Sequence, residues 1–169
     1  MTRKFNRSVA TAVIAAGISV MPAGAQPLVQ HNVSVAMARQ IVEGALAHCS
    51  QPGDLVTVSV AVVDRAGAPV LQVKADTASL HNWELAYRKA YTARTYRRPS
   101  IEWRDQTAGD SIAMGQRLLD EVIPLGGGVP IMMGDEPLGG IGVSGAQGGQ
   151  PGDSACAEAG LAAIADQLQ

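Results

Sequence analysis

The chain has 169 residues, with 13 Lys and Arg against 15 Asp and Glu, a formal charge of −2. That balance excludes the strongly basic surface on which nucleic-acid binders rely. Two cysteines and three histidines, without the spacing of a ligand set, exclude a recognisable zinc site.

Arg3, Lys4 and Arg7 precede an apolar run from Val9 to Val20, and Ala23-Gly24-Ala25 follows. A positive start, a short apolar core and a small-residue site, in that order, predict a signal peptide over 1–25. The apolar run is too short for a typical membrane span; an uncleaved anchor or a buried helix is the competing reading. Cleavage before Gln26 implies a periplasmic or secreted protein with no membrane span left. The mature charge falls near −5, because the removed segment takes three cations and no acid. An exposed leader over 26–32 and a single domain over 33–169 follow, with enough chain to bury a core.

Ser34 is placed to cap a helix, and Val35, Ala38, Ile41, Val42, Ala45, Leu46 and Cys49 recur at helical spacing behind it. Ser50 to Asp54 stops that helix with loop chemistry. Leu55 to Val63 alternates, with Val56, Val58, Val60 and Val62 on one side and smaller residues on the other. Asp64-Arg65-Ala66-Gly67 then turns the chain into a second strand over Val70 to Lys74. Leu80 to Arg98 has no glycine or proline and reads as the second helix, ended by Pro99. Ser100 is placed to cap a short helix over Ile101 to Thr107, and Ser111 to Leu119 is a further short helical candidate. Val129 to Met133 and Pro137 to Ser144 read as a second hairpin about Gly134-Asp135-Glu136. Asp153 is placed to cap a last helix running to about Leu168. The order α-β-β-α-β-β(β)-α predicts an α+β domain: an antiparallel sheet of about five strands with helices packed against it.

Gly126-Gly127-Gly128 and the glycines of Leu138 to Gly145 bring backbone close to something. A subunit contact and a pocket wall both meet that demand. No Gly-Lys-Ser/Thr follows the first cluster, so it is not a phosphate loop. The G-x-G-x-x-G of Gly140, Gly142 and Gly145 lacks the acidic residue of a dinucleotide site, and Ser144 lacks the setting of a nucleophile elbow.

Several stretches in order resemble the GlcG/HbpS family, known for haem-binding and haem-degrading-type domains. They are Val33 to Ala47, Val58 to Gly67, Arg88-Lys89-Ala90-Tyr91-Thr92-Ala93, Gly126 to Pro130, Gly140 to Gly145 and Cys156-Ala157-Glu158-Ala159-Gly160. The resemblance covers nearly the whole mature chain. It implies a profilin-like sheet-and-helix fold, homo-oligomers, and haem as a candidate ligand. The family's roles are varied, so fold carries over better than function.

The second long helix holds the candidate site. Trp83, Tyr87 and Tyr91 share one face at i, i+4, i+8, and His81, Leu85 and Lys89 form a neighbouring stripe. Arg88, Arg94, Arg97 and Arg98 add cations. An aromatic wall beside cations suits a planar ligand carrying carboxylates; the plainer alternative is an aromatic face packed in the core, with Lys and Arg reaching solvent. His81 is the candidate haem-iron ligand, and Tyr87, Tyr91, Met132 and Met133 are other possible axial donors. His48 near the end of the first helix suits the helix dipole, and His31 lies in the leader. Under a second reading, Lys89, Arg88, Glu158 and the amides of Gly127 and Gly128 gather around a small carboxylate. Lys89 and Glu158 would then be catalytic in a lyase, isomerase or hydratase acting on a hydroxy or oxo acid; the alternative leaves Glu158 facing solvent. A third reading is a noncatalytic oligomeric partner of a sensor or transporter. Cys49 and Cys156 either pair, as export would favour, or are two separate small apolar residues.

Overall fold

A computed structural model describes residues 27–50 and 56–169; the expected signal peptide lies outside them. The first helix, α1, spans Val35–Cys49, and the Ser34 hydroxyl accepts the amide of Met37 at 3.2 Å, the expected cap. Ala38, Ile41, Val42 and Ala45 make its buried stripe. Strands β1 (Ser59–Asp64) and β2 (Pro69–Lys74) form the first hairpin, α2 spans Asn82–Tyr96, and α3 spans Ser100–Gln106. After a 3-10 turn at Met114–Leu118 come β3 (Gly128–Met133), β4 (Glu136–Ser144) and α4 (Gly149–Ala162).

The sheet has four strands in the order β2-β1-β4-β3, every neighbour antiparallel. Four strands replace the expected count of about five; the hairpin architecture is as expected. Its two faces differ in side-chain size. Val60 and Val62 of β1 pair with Val143 and Ile141 of β4, and Val129 of β3 pairs with Ile141. These branched residues belong to one core with the buried stripe of α1 and with Cys156, Ala157 and Ile164. On the opposite face Ala61 pairs with Gly142, Gly142 with Gly128, and Gly140 with Pro130. A Cβ on Gly142 would stand 2.1 Å from the Ala86 carbonyl oxygen, and one on Gly128 2.1 Å from that of Lys89. The strand glycines therefore let α2 lie with its backbone directly on the sheet.

Three local expectations are corrected. The final helix ends at Ala162 rather than near Leu168, with a 3-10 turn at Ala165–Gln167 beyond it. It begins at Gly149 behind Gly148 (φ 83°), so Asp153 lies inside the helix and caps nothing. Its place explains the change: the carboxylate points inward, accepting the Ala146 amide at 2.8 Å. Likewise Ser100 lies within α3, and its hydroxyl accepts the Gly128 amide at 2.8 Å instead of capping. The candidate helix over 111–119 shortens to the 3-10 turn, which buries no residue that could anchor a longer one. Cys49 and Cys156 form a disulfide with Cα atoms 5.7 Å apart, joining the end of α1 to α4.

Candidate functional site

Helix α2 presents opposite chemistries on its two sides. The inward side carries Ala86, Lys89, Ala90 and Ala93, all buried. Lys89 is 2 % exposed, and its Nζ donates to Asp153 Oδ2 at 2.7 Å and to the Val143 carbonyl at 3.0 Å. Burial pulls its pKa below the ordinary lysine value, against the opposing pull of Asp153. The ammonium is thus committed to a carboxylate and a strand carbonyl. Glu158, by contrast, is exposed on α4.

The glycine cluster is closed in the same way. A Cβ at Gly126 would meet Ile101 at 3.0 Å, and one at Gly127 would meet Asp153 Cβ at 2.7 Å and Lys89 Cδ at 3.2 Å. The amide of Gly128 is taken by Ser100, and the Gly127 carbonyl accepts from Val143 at 2.9 Å. Within the protomer, Gly126–128 packs directly against α2, α3 and α4, and this close approach is what its glycines permit. Lys89, Gly127 and Gly128 are joined there as a buried joint between α2, β3, β4 and α4. The Asp153 partner is invisible to spacing, since 64 positions separate it from Lys89.

The outward side of α2 is where groups remain accessible. Trp83 is 45 % exposed; Tyr87 and Tyr91 are half-buried, with ring centroids 6.1 Å apart and tilted by 51°. Their stripe therefore lies on the surface, and the one buried aromatic ring among the described residues is Trp103, which stacks on the half-buried Tyr96 at 4.7 Å. Beside Tyr87 opens a cleft of about 580 Å³, lined by Glu84, Tyr87 and Arg88 and by the 117–121 segment. Leu118 and Leu119 of that segment are 81 % and 56 % exposed. Arg88 stands at its edge, donating to the Val122 carbonyl at 2.8 Å and to Glu84 at 3.2 Å. Burial and then the Glu121 carboxylate raise the Tyr87 phenol above its usual pKa. Beside Tyr91, a separate depression is lined by Arg65, Gly67 and Arg94.

His81 lies in the exposed turn ahead of α2, without a side-chain capping bond. It precedes Glu84 and Arg88 by three and seven positions, the spacing of one helix face that reaches the cleft edge. Met132 and Met133 are half-buried on β3, and Met133 packs at the core margin. His48 is exposed beside the disulfide and lines a third depression with it. His31 bonds Glu136 Oε2 at 2.8 Å, which ties the leader to the second hairpin. The 117–121 lining was not found by sequence reasoning. Its only signal was an apolar pair, Leu118-Leu119, in a segment without a partner face. Among the described residues, no group of three or more His, Cys, Asp or Glu is placed to hold a metal ion, and no helix is long and apolar enough to cross a membrane.

Comparison with known proteins places this geometry. Residues 33–162 match the family described as haem degrading protein HbpS-like, and the chain belongs to that family. The crystal structure of HbpS superposes with a TM-score of 0.76 at 30 % identity, covering 86 % of this chain and 99 % of that one. A PduOC–heme complex superposes with a TM-score of 0.71 at 28 % identity, over 79 % and 95 % of the two chains. An uncharacterized 15.0 kDa protein from the dhaT-dhaS intergenic region of Citrobacter freundii is 27 % identical over 116 residues, covering 68 % of this chain and 80 % of its own.

Proposed function

We propose, from membership of the HbpS-like family, that this is an exported protein that binds haem or a similar tetrapyrrole on the outer face of α2. The observation that carries the reading is Tyr87, which shares the surface stripe of Trp83 and Tyr91 and lines a cleft edged by Arg88 and Arg117. An apolar macrocycle needs flat apolar wall, which Tyr87, Leu118 and Leu119 supply; its carboxylates need cations, which the two arginines supply. The likeness to a protein solved with heme supports the same ligand class. Among donors, the Tyr87 phenol lines the cleft, and His81 is exposed in the turn just ahead of α2. Bound haem would supply a redox-active iron; the chain supplies the wall, the charge and the donor. The exposed Ile112, Met114, Leu118 and Leu119 support a homo-oligomer in which a second copy closes the cleft.

Titration of the purified protein with hemin tests this. A Soret band saturating at one equivalent per chain, and weakened in Tyr87→Ala or Arg88→Gln, is expected. A changed band in His81→Ala with an unchanged one in Tyr87→Phe would assign the iron to histidine, and the converse to tyrosine. Absence of any saturable spectral change would overturn the proposal.

A further inference from the structure

At the far end of α2 a second group of cations converges, apart from the cleft beside Tyr87. The β1–β2 turn, the residues just before α1 and the last turn of α2 enclose two adjoining depressions of about 440 and 270 Å³. Both are lined by Arg65, Ala66 and Arg94. His31 and Asn32 complete one, and Tyr91 the floor of the other.

The charges here do not balance locally. Glu136 is bound on both oxygens, by Arg65 at 2.7 Å and by His31 at 2.8 Å. Asp64 spends Oδ1 on the amides of Ala66 and Ala68, at 2.8 and 2.9 Å, to hold the turn. Arg94 makes no ion pair among the described residues. Its Nε is shut away from solvent with no hydrogen-bond partner. Burial, and then the nearby Arg97 and Arg65 cations, press its pKa down despite Asp64. Arg94 lines both depressions without a counter-charge of its own, and a planar oxyanion is the group whose geometry matches a guanidinium fork.

We infer that Arg94 and Arg65, with the Arg97 charge nearby, form a binding site for a compact oxyanion, a carboxylate or a phosphate carried by a small polar molecule. The polar, cation-lined depressions suit such a ligand. Tyr91 packs against the turn, so close that a Cβ on Gly67 would come within 2.7 Å of its ring, and lines one side of the site. The inference does not depend on haem.

The test uses the full-length purified protein at low ionic strength, where such attraction is strongest. Inorganic phosphate and oxalate are titrated separately by calorimetry and by ligand-dependent melting. Saturable binding of at least one is expected, with the preferred anion naming the source chemistry. Arg94→Gln, which keeps most of the side-chain stem, should weaken it tenfold or more. Lys74→Gln, an equal charge loss at the other end of β2, should leave it within twofold. Melting without ligand checks that the variants fold. The inference is overturned if neither anion binds saturably, if Arg94→Gln binds as tightly as the parent, or if Lys74→Gln loses as much.

Discussion

Lys89 Nζ lies 2.7 Å from Asp153 Oδ2, and both side chains are shut from solvent. The pair joins α2 to α4 through the sheet, and its remaining bonds, to the Val143 carbonyl and from the Ala146 amide, leave neither charge uncompensated. Removing one partner strands the other. Lys89→Met is expected to lower stability by about 3–5 kcal/mol. In urea unfolding, Lys89→Met combined with Asp153→Leu should cost less than the two single changes added together. A double variant as damaged as that sum would mean the two groups act independently.

The close seating of α2 on the sheet predicts a sharp contrast among glycines. Gly142→Ala would drive a methyl to 2.1 Å from the Ala86 carbonyl oxygen and should cost about 1–3 kcal/mol or more. A Cβ at Gly115 meets nothing within 4 Å, and Gly115→Ala should stay within about 0.5 kcal/mol of the parent. Guanidinium midpoints of the two variants decide the matter.

The Cys49–Cys156 bridge closes a separation of 107 residues. Constraining so long a segment of the unfolded chain should stabilise the domain by about 2–5 kcal/mol. Reductant should therefore lower the melting temperature of the parent and leave a Cys49→Ala, Cys156→Ala variant unmoved. Alkylation mass shifts before and after reduction report the bridge itself.

Glu136 gives a pH signature. Its hydrogen bond from His31, with Arg65 nearby, holds the carboxyl below its ordinary value of 4.5. A depressed carboxyl stabilises the fold fully above the unfolded value, and that contribution disappears as pH falls through the folded one. Melting temperatures between pH 6 and pH 3 should thus fall more steeply for the parent than for Glu136→Gln. Parallel curves would show that the contact adds nothing.

Leu118 and Leu119 border the Tyr87 cleft while standing largely in solvent. Leu118→Asp with Leu119→Asp should leave the monomer's melting nearly unchanged, since neither side chain is in the core. The same change should weaken hemin retention and shift the sedimentation profile toward smaller species.

Much of this fold was legible in the chain because it is written in local patterns. Alternating valines marked β1, the run free of glycine and proline marked α2, and Ser34 marked the start of α1; each needs only neighbours a few positions away. The family resemblance likewise rested on short stretches in order. The aromatic stripe of α2 could be drawn from spacing alone, but whether it faced core or solvent could not, because a helix has two sides and the sheet chooses between them. That choice fell to Gly128, Gly140 and Gly142, which let α2 press its alanine side inward and leave Trp83 and Tyr87 outside. The partner of Lys89, the charge surplus about Arg94 and the pairing of the cysteines are likewise products of folding. Each joins residues dozens of positions apart, and only burial determines which charges must find one another and which are left facing water.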